Sequence, residues 1–339
     1  MISAMAVKLA TSAKKKSKLI VAVSAVCAFL LMVSNAVAAD RYALIVSGAA
    51  GGDQYAEKYT AWRAAITRIL VDKFKYPPER VVVLADSDEA GVRKSTRENV
   101  QRVLADFRKQ LMKEDQLLIL LIGHGTTSES DEAKFNLVGP DLTAGEWAEL
   151  IRPIPGRLIF VNTTAASFPF LKKIAGRNRV VLTATDSSAQ QFETVFADYF
   201  VKAFGADGAD IDKSGRVSIW EAFNFASAGV RSWFEQKGQL PTERPLLDDT
   251  GAGIGREATQ PQGSDGALAR VTYLQPEPPL VLPADANQAA LVRRRAELEA
   301  QLEELKARKE NMPSDQYDAE LEKILTEIAR VGAQLRTKS

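Results

Sequence analysis

The sequence predicts an α/β protein, a mostly parallel sheet covered by helices on both faces, followed by a C-terminal helical hairpin. Three observations predict it. Short, continuously apolar runs rich in β-branched and aliphatic residues recur between residues 41 and 185, as they do in strands buried on both sides. Segments with apolar residues at three- and four-residue spacing separate these runs, as crossover helices would. Beyond residue 288 the pattern changes to a leucine repeat of seven.

Arg41 to Ser47 (RYALIVS) is a strand ending in Gly48, and Glu57 to Phe74 is a helix with Tyr59, Trp62, Ile66, Ile69 and Leu70 on one side. Tyr76-Pro77-Pro78 stops that helix. Arg80 to Leu84 (RVVVL) is the second strand, and Thr96 to Lys113 is an amphipathic helix carrying Val100, Val103, Leu104, Phe107 and Leu111 on one face. Gln116 to Ile122 (QLLILLI) is the third strand and enters Gly123-His124-Gly125. Arg157 to Val161 (RLIFV) is the fourth and enters Asn162-Thr163-Thr164; Arg179 to Thr185 (RVVLTAT) is the fifth. Helical patterns then cover Phe192 to Phe204 and Ser218 to Phe234.

Residues 250 to 287 are rich in Gly, Pro and Gln and read as a linker, with Leu268 to Leu274 (LARVTYL) as a candidate edge strand. From Gln288 to Arg336, Leu291, Leu298 and Leu305 recur every seven residues with Leu302 between them. After Met312-Pro313-Ser314 comes Leu321, Ile324, Ile328, Val331 and Leu335, whose alternating spacing of three and four is a heptad seam. Pro313 breaks the helix and Ser314 can cap the next one, which predicts an antiparallel hairpin. Each arm is marginal as a free coiled coil, so the hairpin is expected to pack on the body, on a second copy or on a partner.

Residues 1 to 39 read as an export signal. Lys14, Lys15, Lys16 and Lys18 precede an apolar run from Leu19 to Val33, and Ser34-Asn35-Ala36-Val37-Ala38-Ala39 supplies the small residues of a cleavage site. That run is shorter than the roughly twenty residues a membrane span needs, so no stable span is expected after cleavage. The product would be periplasmic or extracellular. Cys27, the single cysteine of the 339 residues, lies within the signal and would leave with it. The 44 basic and 43 acidic residues give a net charge of +1, which argues against nucleic-acid binding through bulk charge.

Ligands of parallel α/β sheets bind beyond the carboxyl ends of the strands. Here those ends carry His124, the single histidine, and the stretch from Asn162 to Ser167. A hydrophobic strand ending in His-Gly, followed about forty residues later by a strand ending in the nucleophile position, resembles the caspase-like proteases. The chain is similar in particular to exported bacterial members of the legumain branch, through LLILLIGHGT, FNLVGPDLTAGEWAELI, RLIFVNTTAAS, RVVLTATDSSAQQFETVFADYF and RPLLDD. The resemblance spans roughly Arg41 to Asp249. It implies a three-layer caspase-like fold over 40 to 249, with His124 as the family histidine and Gly125 in an oxyanion-type position. It places the nucleophilic cysteine at Thr164 or one residue either side, where this chain has none.

A thiol ionises near pH 8.5, whereas a threonine hydroxyl is far less acidic and needs an oriented base and a strong oxyanion site. The expectation is therefore a pseudopeptidase of the cell envelope whose cleft binds a peptide or protein partner. The alternative is a hydrolase using Thr164, Thr163 or Ser167 with His124. The plainer reading of His124 is a hydrogen bond to a loop carbonyl, and that of Thr163, Thr164 and Ser167 is capping of the next helix.

A second motif is independent of the resemblance. From Asp210 to Glu221 (DIDKSGRVSIWE) the spacing is that of a calcium loop, with Asp210, Asp212, Ser214, the Arg216 carbonyl, Ser218 and Glu221 as oxygen ligands and Gly215 at the turn. Calcium is the expected cofactor. The competing reading is a solvated turn with Ser218 and Glu221 forming a helix capping box.

Overall fold

The structure is a computed structural model that describes residues 39–86, 89–127, 132–190, 192–206, 208–258, 265–277, 282–307, 309 and 312–336. The signal segment, with Cys27, lies outside the described residues except for Ala39.

Continuously apolar strands fold as the interior of a sheet. β1 (Arg41–Ser47), β2 (Val81–Ala85), β3 (Arg93–Lys94), β4 (Gln116–Ile122), β8 (Arg157–Asn162), β9 (Arg179–Thr183) and β10 (Leu246–Asp248) form one sheet in the order β10-β9-β8-β4-β1-β2-β3. All neighbours are parallel except β10, which runs antiparallel to β9 at the edge. A smaller antiparallel sheet, β5 (Gly125–Thr127), β6 (Ala133–Phe135) and β7 (Leu142–Thr143), stands beyond the end of β4.

Side chains alternate across each strand, so the central sheet has two apolar faces and needs two helical layers. Leu118, Leu120 and Ile122 face one layer, built from α1 (Asp53–Arg68), the wider π-turn Ile69–Lys73, α5 (Phe196–Ala203) and α6 (Ile219–Gln236). Leu117, Ile119 and Leu121 face the other, built from α2 (Arg97–Gln110), α3 (Ala144–Ile151) and α4 (Phe168–Ile174). Every residue of β4 is buried, as the central position between β1 and β8 requires.

Local chemistry sets the helix starts. Thr96 caps α2 by accepting from the Asn99 amide, and Thr143 with Glu146 closes a capping box on α3. The helix expected from Phe192 begins instead at Phe196, because the carboxylate of Glu243 reaches across from the loop before β10 and accepts from the Val195 and Phe196 amides at 2.8 and 2.7 Å. A distant side chain thus ends one loop and starts the helix.

Residues 250 to 287 do more than cross the surface. Leu268 to Leu274 does not form an edge strand; it overlaps α7 (Ala267–Arg270), a single turn held at its start by Asp249, which accepts from the Gly266 and Ala269 amides at 2.9 and 2.8 Å. Ala269 and Leu274 are fully buried in the α5–α6 layer. The two predicted C-terminal helices, α8 (Ala286–Ala307) and α9 (Ser314–Arg336), pack against each other with Leu298, Leu305, Tyr317 and Val331 buried. Glu304 of α8 lies 3.7 Å from Arg157, the first residue of β8, so α8 reaches the amino ends of the strands. Burial of that guanidinium lowers its pKa, and Glu304 acts in the opposite direction.

Burial pushes the Glu243 carboxyl from 4.5 up to about 8, against the pull of its two amide hydrogen bonds. The folded state therefore holds this proton more tightly than the unfolded chain. Its contribution to stability is full below about pH 4.5 and is lost as pH rises through about 8. Thermal melts across this interval should show a component that falls with rising pH and is absent from Glu243→Gln.

Candidate functional site

Parallel pairing places the ends of β4 and β8 side by side, with Leu121 opposite Asn162. The segments leaving these two strands are therefore brought together: Gly123-His124-Gly125 from β4 and Thr163 to Ser167 from β8.

His124 is partly buried and held by α1. Its Nε2 lies 3.0 Å from the Ala50 carbonyl oxygen and 3.2 Å from the Tyr59 hydroxyl. A carbonyl only accepts, so Nε2 carries a proton and donates to Ala50. Tyr55 and Tyr59 stand edge-on to the imidazole, with centroids at 4.7 and 5.6 Å. Burial raises the Tyr59 pKa, keeping that hydroxyl neutral. No carboxylate bonds the imidazole among the described residues, so these supply no acidic orienter of the kind a serine-type triad uses.

The hydroxyls after β8 are turned elsewhere. Thr164 is fully buried, and its Oγ1 lies 2.7 Å from Asn162 Oδ1 and 3.0 Å from the Ala165 carbonyl oxygen. Both partners are acceptors, so the hydroxyl proton is directed at them and not at His124. Asn162 Oδ1 also accepts from the Thr164 amide at 3.0 Å, while its buried Nδ2 has no partner. The Thr163 hydroxyl donates to the Leu121 carbonyl at 2.7 Å, stitching the two strand ends together. Ser167 stands at the N-cap position of α4 but makes no side-chain cap; its hydroxyl pairs with that of Thr185 at 3.0 Å. In place of helix capping, Thr163 and Ser167 bond the neighbouring strand ends at Leu121 and Thr185, and Thr164 bonds within its own turn.

The turn is tight. Ala166 is fully buried at φ 50, a conformation that costs a non-glycine residue about 1 kcal/mol. Its amide bonds the Gln190 carbonyl at 2.9 Å, so the loop after β9 holds it there. Gly125 faces this turn directly: a Cβ on it would sit 2.4 Å from Thr164 Oγ1 and 2.1 Å from the Ala165 carbonyl oxygen. The sequence points to His124, Gly125 and the stretch from Asn162 to Ser167 but to no role for Tyr55 or Gln190. Tyr55 and Tyr59 at helical spacing of four were the available signal, and Tyr59 reads equally well as a core position.

The acidic loop lies elsewhere, before α6. One carboxylate oxygen from each of Asp210, Asp212 and Glu221 falls within 4.8 Å of the others. Two ligands of one calcium ion at about 2.4 Å can be no further apart than that, so the donor set fits a hard cation. Gly215 takes φ 82 at the turn, and its amide bonds Asp210 Oδ2 at 2.8 Å. The Ser214 side chain and then its amide, which donates to Asp212 Oδ1 at 2.9 Å, hold the Asp212 pKa down. The capping box is also formed: Ser218 accepts from the Glu221 amide, and Glu221 Oε2 accepts from the Ser218 amide and hydroxyl. The other oxygen of Glu221 accepts from the Ile211 and Asp212 amides. Glu221 therefore closes the loop onto the helix through both of its oxygens.

No helix among the described residues is long and apolar enough to cross a membrane. No protein-family model matches the chain, and no curated protein matches it. Among solved structures it is similar to a crystal structure of a structural-genomics protein from Geobacter sulfurreducens. The two share 12% identity over 70% of this chain and 100% of that chain, with a TM-score of 0.44.

Gly125→Ala should destabilise the fold by about 2 kcal/mol through overpacking, read by chemical denaturation. Adding Thr164→Ala should not restore stability, because the Ala165 backbone oxygen remains in the way.

Proposed function

We propose that this chain is an exported, non-catalytic relative of the legumain and caspase-like peptidases, whose strand-end cleft beside His124 binds a peptide or protein partner in the cell envelope. The observation that carries this reading is the orientation of Thr164. Its hydroxyl is buried and engaged by Asn162, and no hydrogen bond joins it, Thr163 or Ser167 to His124. An alkanol whose proton is bonded to an amide oxygen, with no base hydrogen-bonded to it, is not activated to attack an amide. The helical hairpin, seated at the amino ends of the strands, serves docking to a partner or to a second copy.

The competing hydrolase reading is tested directly. A peptide library incubated with the mature chain, with and without calcium, should show no turnover above that of His124→Ala. Turnover that His124→Ala abolishes and thiol blockers spare would overturn the reading.

Calcium is proposed as a structural ion for the 210 to 221 loop, held by Asp210, Asp212, Ser214, the Arg216 carbonyl, Ser218 and Glu221. It would supply cross-linking charge and no chemistry. Calorimetric titration of metal-free protein should release heat that Glu221→Gln removes, with a rise in melting temperature on calcium addition. A thermogram without heat would end the claim.

A further inference from the structure

The outer helix of the hairpin carries more apolar surface than its neighbour covers. α9 packs on α8 and buries Tyr317 and Val331, which lie on one side of the helix. About 70° further round, Leu321, Leu325, Ile328 and Gly332 follow one another at spacings of four, three and four and form a second stripe. None of these four is buried, and Leu325 is 47% exposed.

Gly332 stands in this stripe at a cost. Glycine weakens a helix interior, and a common reason to keep one is a backbone or side chain that must come close. Among the described residues, the one side chain within 4 Å of the place its Cβ would occupy is Arg336, at 3.9 Å. The notch beside Gly332 is therefore open. The charges on the flank of the stripe are also ordered along the helix. Exposed Asp315, Asp318 and Glu322 occupy its first half, and Ala329, Ala333 and Arg336 its second.

Taking the hairpin as a docking element, we propose that this stripe joins two copies of the chain, α9 against α9 in antiparallel order about a two-fold axis. The axis would set Leu325 of each copy against Ile328 of the other, and Leu321 into the notch at Gly332. A knob on one half of the stripe and a notch on the other make it complementary to itself when reversed. The same register brings Asp318 beside the helix end that carries Arg336. A parallel pair would instead set Asp315, Asp318 and Glu322 against their own counterparts, which repel. Four residues a side make a small, weak contact, the kind that forms at high local concentration.

Residues 40 to 339 contain no cysteine, so introduced cysteines report on this contact alone. The test oxidises the mature chain carrying Leu325→Cys, the chain carrying Ile328→Cys, and a mixture of the two. The mixture should yield a disulfide-linked dimer and neither variant alone should, because only the cross pair comes within bonding reach in the antiparallel register. Sedimentation at roughly 100 µM should show a dimer fraction. Leu325→Glu should remove it with the melting temperature unchanged, since that side chain is already half exposed. Asp318→Arg or Arg336→Glu alone should weaken association roughly threefold, and the two combined in one chain should recover it. Self-linkage of either cysteine variant as readily as in the mixture would overturn the antiparallel pairing. A monomer with no linkage in any combination would overturn the second copy as occupant, leaving the hairpin to a different partner. A dimer that persists in Leu325→Glu would overturn both the stripe and the hairpin as the docking surface.

Discussion

The pairing of β4 with β8 is the constraint on which the rest of this structure depends. Both strands are buried along almost their whole length, and their parallel register brings His124 and the Asn162–Ser167 turn to one edge. A one-residue slip would exchange the two faces of β8 and break the packing of both helical layers. The register is pinned from above as well. Thr163 bonds the Leu121 carbonyl with both its amide and its hydroxyl, so the side chain after one strand locks the end of its neighbour.

The same lock explains why hydroxyls at this edge serve structure. Where a nucleophile would need an exposed oxygen and a base, Thr164 is enclosed by Gly125, Asn162 and Ala165. Its buried hydroxyl must find an acceptor, and the nearest ones are Asn162 and the backbone. His124 in turn spends its Nε2 proton on Ala50 and is framed by two tyrosines. Each group is satisfied separately, and the energetic preference for local satisfaction keeps them apart.

Much of the fold was legible because buried strands and amphipathic helices leave one-dimensional signatures. The strands from Arg41, Gln116, Arg157 and Arg179 begin where the apolar runs begin. The hairpin is explained by its leucine spacing and Pro313. The features that were not legible depended on partners far away in sequence. The late start of α5 is set by Glu243, some fifty residues downstream, and the α7 turn by Asp249. At the candidate site the histidine and the position of Thr164 could be read, but the destination of each proton could not. That depends on which acceptor lies within three ångströms, and spacing along the chain does not encode it.

The placement of the hairpin has a mechanical consequence. α8 meets the body at Arg157, while Asn162 marks the opposite end of the same strand, about 17 Å away at some 3.3 Å per residue, and His124 lies beyond the end of β4 on that side. The rigid sheet between them keeps the two poles from shielding one another. The two poles are therefore separate surfaces, and a substitution at one is not transmitted to the other through a shared contact.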